Sequence, residues 1–429
     1  MNLDNENIFE WLGEWDVPYV SLGDGTCSAF GSMGTTGVIN TEEGLVIFDL
    51  PIRNQGPRIF MRVRELTKKP VKFIIYSHGH FDHCFGYAPF IEECKKNGWE
   101  MPQVIAHENL LLRFKKYAML DDYHDWINSM QFSSIVKESG VSAHETLDPT
   151  ILVRDEYSFK LGNCTFELYH DKGETDDSIW LWVPEKKVIY TGDLVQISYP
   201  NVGNPYKVQR YPKDWAIALE KMLEKNPEYL VIGHGKPIQG NETVREHLSI
   251  TSEALHFVHD EVVKRLNQGK WFEEIFHEML EIYPEKFDKF PYLQPIYGCY
   301  RFAIHATYRL YHGWYDTGNP TDLFPSKSSD IAKELLKVNS PEKYLEHAKS
   351  LNIVGKHQLA LHVLDIIING GEDLCSQELY LETISLKQQL LKKIAREEPS
   401  FIASNIINNG ASQLKQKAKE LRKNLRMNS

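Results

Sequence analysis

No apolar run in the chain approaches the length of a membrane span, so no segment is expected to cross a bilayer. The N-terminus, MNLDNENIFEWLGEW, lacks both the basic start and the apolar core of a secretory signal. Cysteine is sparse: Cys27, Cys84, Cys94, Cys164, Cys299 and Cys375 are scattered and form no paired framework. They read as reduced thiols, which points to the cytoplasm. Positive charge is in deficit, with 48 Lys and Arg against 59 Asp and Glu, a formal net charge of −11. That balance argues against a general nucleic-acid binder, and an anionic ligand would need a local basic pocket. What remains is ordinary for a globular protein: 429 residues, 42% hydrophobic and 25% charged. This is enough for one large domain and one or two smaller ones.

Between about residues 28 and 240, short apolar runs alternate with polar or helical text. GLVIFDL (44–50), KFIIYSH (72–78), QVIAH (103–107), SIWLWVP (178–184), KVIYTGD (187–193) and YLVIGHG (229–235) read as buried strands. Several end in His or Asp, and loops beyond strand ends are where a rigid sheet can hold chemistry in place. From about 241 to 315 apolar positions recur every three or four residues, as in helices. A Gly/Pro-marked stretch, DTGNPTDLFPSKSS, then reads as a linker. The text from 328 onward is helical again, with Ser340 before Pro341 and Ser376 before QEL as expected N-caps. The expected division is 1–250, 251–327 and 328–429, an α/β domain followed by two all-α regions. The closing QLKQKAKELRKNLRM is a basic helix, read as a solvated face, with a partner or membrane contact as the alternative.

One stretch stands apart. IIYSHGHFDHCFG places His78, His80, Asp82 and His83 within six positions, directly after an apolar run. Imidazole and carboxylate are donors suited to zinc and to non-haem iron. Residues two apart in extended chain point to the same side, so His78 and His80 can share one ion. Asp82 and His83, just past the strand end, could turn toward a second. An open catalytic site usually takes three protein ligands per ion. His170 and Glu174 in YHDKGETDDSIW, Asp193 in VIYTGDL and His234 in VIGHGKP supply candidates, and the last two also sit at glycine-marked strand ends. Four such stations in this order point to a dinuclear centre. Cys84, next to His83, reads as a small buried filler.

The order HGHFDH, KGETDDS, TGD, GHG resembles the metallo-β-lactamase fold superfamily, whose motifs run H-x-H-x-D-H, then a His-bearing turn, then GD, then GHG. The resemblance implies an αββα sandwich, here followed by an all-α C-terminal region. It carries Glu174 where most of the superfamily has His, with His170 as the competing ligand. That glutamate, and the helical segments ALHFVHDEVVKRLNQG and YRLYHGWYDTGNPTDLFP, are similar to the alkyl sulfatase branch and its dimerisation region, over roughly residues 28–390. Asp49 in VIFDLP matches an early aspartate of the fold, expected to be structural. Three departures stand out. The bridging position holds Asp193 rather than Glu, the branch's His-Asn pair is replaced by RFAIHATYR, and the chain ends without a sterol-carrier-like domain.

The resemblance implies that His78, His80 and Glu174 hold one ion, that Asp82, His83 and His234 hold the other, and that Asp193 bridges them. Asp82 and Asp193 are the expected catalytic carboxylates. Two Zn2+ ions are the default, with Fe or Mn as alternatives. The expected activity is that of a metal-dependent hydrolase acting on a small anionic ester, foremost an alkyl sulfate, in a homodimer. Alternatives are hydrolysis of a lactone, thioester or phosphodiester, an iron-dependent persulfide dioxygenase, or a non-catalytic scaffold. Arg301 and Arg309, with Tyr300 and Tyr308, are the expected sulfate-binding residues, although an aromatic helix packed at an interface would look the same. The loop YPNVGNPYKVQRYP (199–212) either walls an apolar substrate chain or is plain loop.

Overall fold

A computed structural model describes residues 17–132 and 146–428. They fall into two compact units, the first running to Asp316 and the second beginning at Thr317, with a few residues near 130 grouped with the second.

In the first unit, strands β1 (Tyr19–Leu22), β2 (Cys27–Phe30), β3 (Thr36–Asn40) and β4 (Leu45–Phe48) form an antiparallel meander. Helix α1 (Gly56–Leu66) leads to β5 (Val71–Ile75), and α2 (Ala88–Asn97) leads to β6 (Gln103–His107). Helices α3 (Leu110–Met119) and α4 (Asp121–Phe132) precede β7 (Ile151–Val153). Strands β4 to β7 are parallel, completing a seven-stranded sheet in sequence order. The second sheet holds β8 (Glu156–Leu161), β9 (Cys164–His170), β10 (Ile179–Val183), β11 (Val188–Tyr190), β12 (Tyr229–Val231) and β13 (Ile238–Gln239), also in sequence order. Helix α5 (Pro212–Glu224) connects its parallel pair, β11 and β12.

The apolar runs are continuous because strands in the middle of this arrangement are covered on both faces. All five residues of β10, IWLWV, are buried. Phe48, Ile75 and Ile105 meet Phe166, Leu181 and Tyr190 in the core between the sheets. Outside the first sheet, Ile59, Val63, Phe90 and Phe114 pack on Val38, Ile47 and Ile74. Outside the second, Trp215, Leu219 and Met222 of α5, with Val244 and Leu248, pack on Trp180, Ile189 and Leu230. Helix, sheet, sheet, helix is the expected αββα sandwich. The six strands read from sequence are present; β1–β3, β7–β9 and β13 were not anticipated, and edge strand β8, EYSFKL, alternates exposed and buried residues instead of forming an apolar run.

The boundary expected at residue 250 falls inside one unbroken helix, α6 (Asn241–Leu266), which packs against α5 and β13. Helical periodicity marks a change of element, and here the helix that follows the sheets is part of their outer layer. Helices α7 (Phe272–Glu281) and α8 (Tyr300–Tyr311) complete this unit. The second unit is all helical: α9 (Ser328–Val338), α10 (Pro341–Ile353), α11 (His357–Gly370), α12 (Gln377–Glu397) and α13 (Phe401–Asn428). Its core gathers Leu345, Leu361, Leu364, Ile367, Tyr380 and Ile384. Ser376 caps α12 through its hydroxyl, which accepts from Leu379 N at 3.2 Å. Ser340 stands at the N-cap of α10 without that bond, and Pro341 at the first helical position needs no acceptor for an N–H. Among the described residues no helix is long and apolar enough to cross a membrane.

Candidate metal centre

The site forms where strand ends of both sheets meet. Chain leaving β5 enters Ser77–His83, with a single helical turn at Phe81–Cys84. Chain leaving β9 forms the turn holding Glu174, that leaving β11 presents Asp193, and that leaving β12 presents His234. Two glycines allow the close approach. A Cβ on Gly233 would lie 2.2 Å from Asp193 Oδ1, and one on Gly192 (φ 52°) would collide with Ser77. The carbonyl of Gly233 accepts from Thr35 N at 2.8 Å, tying the His234 turn to the first sheet.

Two triads of donor atoms result, each within 4.8 Å: His78, His80 and Asp193; and Asp82, His83 and His234. His78 Nε2 and His80 Nδ1 are 2.8 Å apart. Asp193 faces both groups, with Oδ2 3.7 Å from His78 Nε2 and Oδ1 3.3 Å and 3.2 Å from Nε2 of His83 and of His234. Asp82 Oδ2 lies 3.6 Å from His234 Nε2.

The ring nitrogens that point away are anchored. His83 Nδ1 is 2.8 Å from Asp49 Oδ2, His234 Nδ1 is 2.5 Å from the Met33 carbonyl, and His78 Nδ1 is 2.9 Å from Ser77 Oγ. Such bonds orient an imidazole so that its other nitrogen is presented as a ligand. Asp49 also accepts from Ser77 N and Ser77 Oγ, which makes it a support for the cluster, as expected from its place after β4. It holds a left-handed backbone, φ 60°, a conformation that the surrounding contacts must enforce in a non-glycine residue.

The electrostatics favour a cation here. Burial, with His83 next in weight, drives His78 well below the usual imidazole range, and burial does the same to His80. Both are thus neutral and able to ligate. Burial opposes a proton on His83 and His234, yet Asp193 and neighbouring carboxylates push His83 well above that range and His234 up to about 9. Negative charge this concentrated draws positive charge from whatever source is at hand. His83 Nε2 and Asp193 Oδ1 are buried and, among the described residues, make no hydrogen bond. Atoms of that kind, in an N/O donor set, fit divalent ions.

Glu174 lies outside both triads. Its Oε1 is paired with Arg210 Nη1, its Oε2 accepts from Gln196 Nε2 at 2.7 Å, and burial pushes its carboxyl up to about 8 against the pull of Arg210. It neighbours Asp193 closely enough to interact with it. His170, the competing candidate, turns elsewhere: Nδ1 is 2.9 Å from the Ser178 carbonyl and the ring stacks on His107 at 3.8 Å. The thiol of Cys84 donates to the His78 carbonyl and burial raises it well above the usual thiol range, which leaves it a buried filler.

A cavity of about 290 Å³ opens beside His80 and Glu174, walled by α3, α4 and the 206–211 loop. The four residues expected to bind sulfate do not line it. Tyr300 stacks on Tyr283 and donates to the Met279 carbonyl, Tyr308 packs on Phe272, Arg309 pairs with Asp316 at 2.7 Å, and Arg301 is exposed on α8. The aromatic face of that helix serves packing. Two residues that sequence reasoning passed over stand at the cavity instead. Arg113 of α3 binds Asp176 and, at 2.9 Å, Asp177, whose other oxygen accepts from Gly79 N at 3.0 Å. Arg210 binds Glu174 and donates to the Asn201 carbonyl at 2.6 Å. The two Asp in ETDDS were a visible signal for the first; the second lies in the 199–212 loop, which from sequence reads as either a substrate wall or plain loop.

A four-layer sandwich with this ligand order defines a metallo-beta-lactamase superfamily protein, and residues 29–234 match that family. Residues 272–417 match the family described as alkyl sulfatase dimerisation. In the order of these two matches the chain resembles the alkyl sulfatase branch of the superfamily. It is 26% identical over 354 residues to a linear primary-alkylsulfatase of Pseudomonas sp. (strain ATCC 19151), covering 78% of this chain and 66% of that one. Identity to an (R)-specific secondary-alkylsulfatase of Pseudomonas sp. is 22% over 402 residues, covering 88% and 59%. The solved structure of the stereoselective inverting sec-alkylsulfatase Pisa1 from Pseudomonas sp. superposes with a TM-score of 0.78 at 19% identity, covering 93% of this chain and 65% of that one. The chain thus spans less than two thirds of the length of these relatives.

Proposed function

We propose that this protein is a dinuclear metal-dependent hydrolase that cleaves alkyl sulfate esters as a homodimer. The observation that carries the reading is the placement of Asp193 between two donor triads, one oxygen toward each, beside a cavity with cationic walls.

His78, His80 and Glu174 would hold one ion, Asp82, His83 and His234 the other, with Asp193 between them. Glu174, paired with Arg210 and interacting with Asp193, would supply the third residue of the first group. Two divalent ions, zinc by default and iron or manganese as alternatives, supply a water acidic enough to ionise near neutral pH and a Lewis acid for an ester oxygen. The chain's own residues do the rest. Asp49, Ser77 and the Met33 carbonyl fix the ligand rings, so no reorganisation is needed at the moment of reaction. Asp82 and Asp193 line the centre with carboxylates able to orient a water by accepting its hydrogen bonds. Arg113 and Asp177 lock the Gly79 backbone to the Glu174 turn, which keeps the two halves of the centre in register.

The relatives named as alkylsulfatases and the dimerisation match support the substrate class and the second copy. Free thiols at all six cysteines support a reducing, cytoplasmic compartment. The test is elemental analysis of protein purified without added metal, followed by sulfate release from medium-chain alkyl sulfates. About two zinc ions per chain with sulfate release, lost in Asp82→Ala, is the expected result. Two zinc ions without sulfate release would transfer the reading to another ester, and iron near one per chain would replace it with the dioxygenase.

A further inference from the structure

The cavity beside the ligand cluster holds cationic side chains that differ sharply in their partners. Arg113, Lys116, Lys207 and Arg210 all line it. Arg113 is engaged by Asp176 and Asp177, and Arg210 by Glu174. Lys116 is exposed on α3. Lys207 is partly buried, and among the described residues its ammonium pairs with no carboxylate; the one acceptor it reaches is Asn128 Oδ1, at 3.5 Å. An ammonium carries three donors, so most of its hydrogen-bonding capacity is unfilled, in a cavity it shares with His80 and Glu174.

Its backbone is held firmly. Asn204 Oδ1 accepts from Tyr206 N at 2.9 Å and from Lys207 N at 3.0 Å, closing a tight turn. The Tyr206 ring meets Trp126 of α4 edge-on at 5.5 Å. The lysine is thus set on a pinned loop, and a charge placed in advance loses little freedom when it binds.

We propose that Lys207 is the substrate-binding cation of this site, its ammonium receiving the charged oxygens of the sulfate group while the ester linkage faces the ligand cluster. This rests on the sulfatase reading above for the identity of the anion. The chemistry suits a lysine: a compact point charge with rotatable donors accommodates a tetrahedral oxyanion without the bidentate geometry a guanidinium prefers. It also explains how a chain of net charge −11 attracts an anion, since a local cation can outweigh a distant acidic surface.

Burial, and then Arg210, lower Lys207 to about 8, against the opposing pull of Glu174 and Asp82. Lys116 on α3 and His124 on α4 also face it.

Zinc-loaded protein titrated calorimetrically with inorganic sulfate tests this without turnover. At pH 7 Lys207→Met should weaken sulfate binding by about tenfold or more, as expected for loss of a charged hydrogen-bond donor. Lys207→Arg should recover most of the binding, and zinc content and Tm should match wild type. Lys207→Gln, which keeps a donor for Asn128, gives the same reading should the Met variant fold poorly. Equal sulfate affinity in wild type and both neutral variants would overturn the proposal, as would absence of sulfate binding to wild type at pH 7. Binding through Lys207 without sulfate release from esters would keep the anion site and overturn the sulfatase reading. Sulfate release indifferent to Lys207 would do the reverse.

Discussion

Asp49 Oδ2 lies 2.8 Å from His83 Nδ1, with both side chains buried to 1% exposure or less. The carboxylate fixes the proton on Nδ1, so Nε2 is left as the ligand atom facing Asp193 and His234. Asp49→Ala should therefore weaken metal binding by about 10- to 100-fold, the usual effect of losing such a partner. Competition against a chromophoric chelator measures it, and unaltered affinity would remove Asp49 from the design of the centre.

Among the described residues Arg113 is the only side-chain partner of Asp177, which is completely buried. Removing the guanidinium leaves that carboxylate uncompensated, and Arg113→Ala should cost about 3–5 kcal/mol in stability. Urea unfolding reads the loss. Metal retention should fall as well, because Asp177 also holds Gly79 between His78 and His80.

Two arginines separate the expected substrate residues from those at the cavity. The Arg309–Asp316 pair is more than a third exposed on both sides, so Arg309→Ala should cost no more than about 1 kcal/mol. Turnover of alkyl sulfates by that variant should stay at the wild-type level. Arg210→Met strands buried Glu174 and should lower kcat/KM sharply. Steady-state kinetics on the pair decide it, and a large defect in Arg309→Ala alone would return substrate binding to α8.

His247 of α6 is buried, neither ring nitrogen is hydrogen-bonded among the described residues, and burial lowers it to about 3. Its folded value lies below the unfolded value of roughly 6.5. Below pH 6.5 the unfolded chain takes a proton that the folded one refuses, so stability falls as pH drops toward 3. The contribution reaches about 1.4 kcal/mol per pH unit. His247→Leu should flatten the dependence of Tm on pH between 6 and 4; a parallel curve for the two proteins would contradict it.

Much of this was legible in the sequence. His78, His80, Asp82 and His83 sit in one short loop, and Asp193 and His234 follow apolar runs into glycine turns, so spacing alone marked them. Glu174 and His170 could not be separated that way, because four residues apart either could reach the site; in the structure His170 Nδ1 lies 2.9 Å from the Ser178 carbonyl, and Glu174 lies beside the cluster without joining either triad. Arg210 and Lys207 were illegible for a different reason. They lie in a Pro/Gly-rich loop with no periodicity, and their place depends on helices α3 and α4, far off in the chain. In α8, Arg and Tyr at helical spacing looked like an anion site, and these residues do not line the cavity. The aromatic positions turned out to serve packing.

The donor atoms of the centre are spread over more than 150 positions, from His78 to His234, and come from both sheets. A chain emerging from the ribosome can present only the His78–His83 loop until the second sheet has been made. Ion capture at the full site must then wait for the two sheets to pack on each other, a contact between segments distant in the chain. Metal content consequently reports completed folding: a misassembled or truncated chain would announce itself by coming off the column empty.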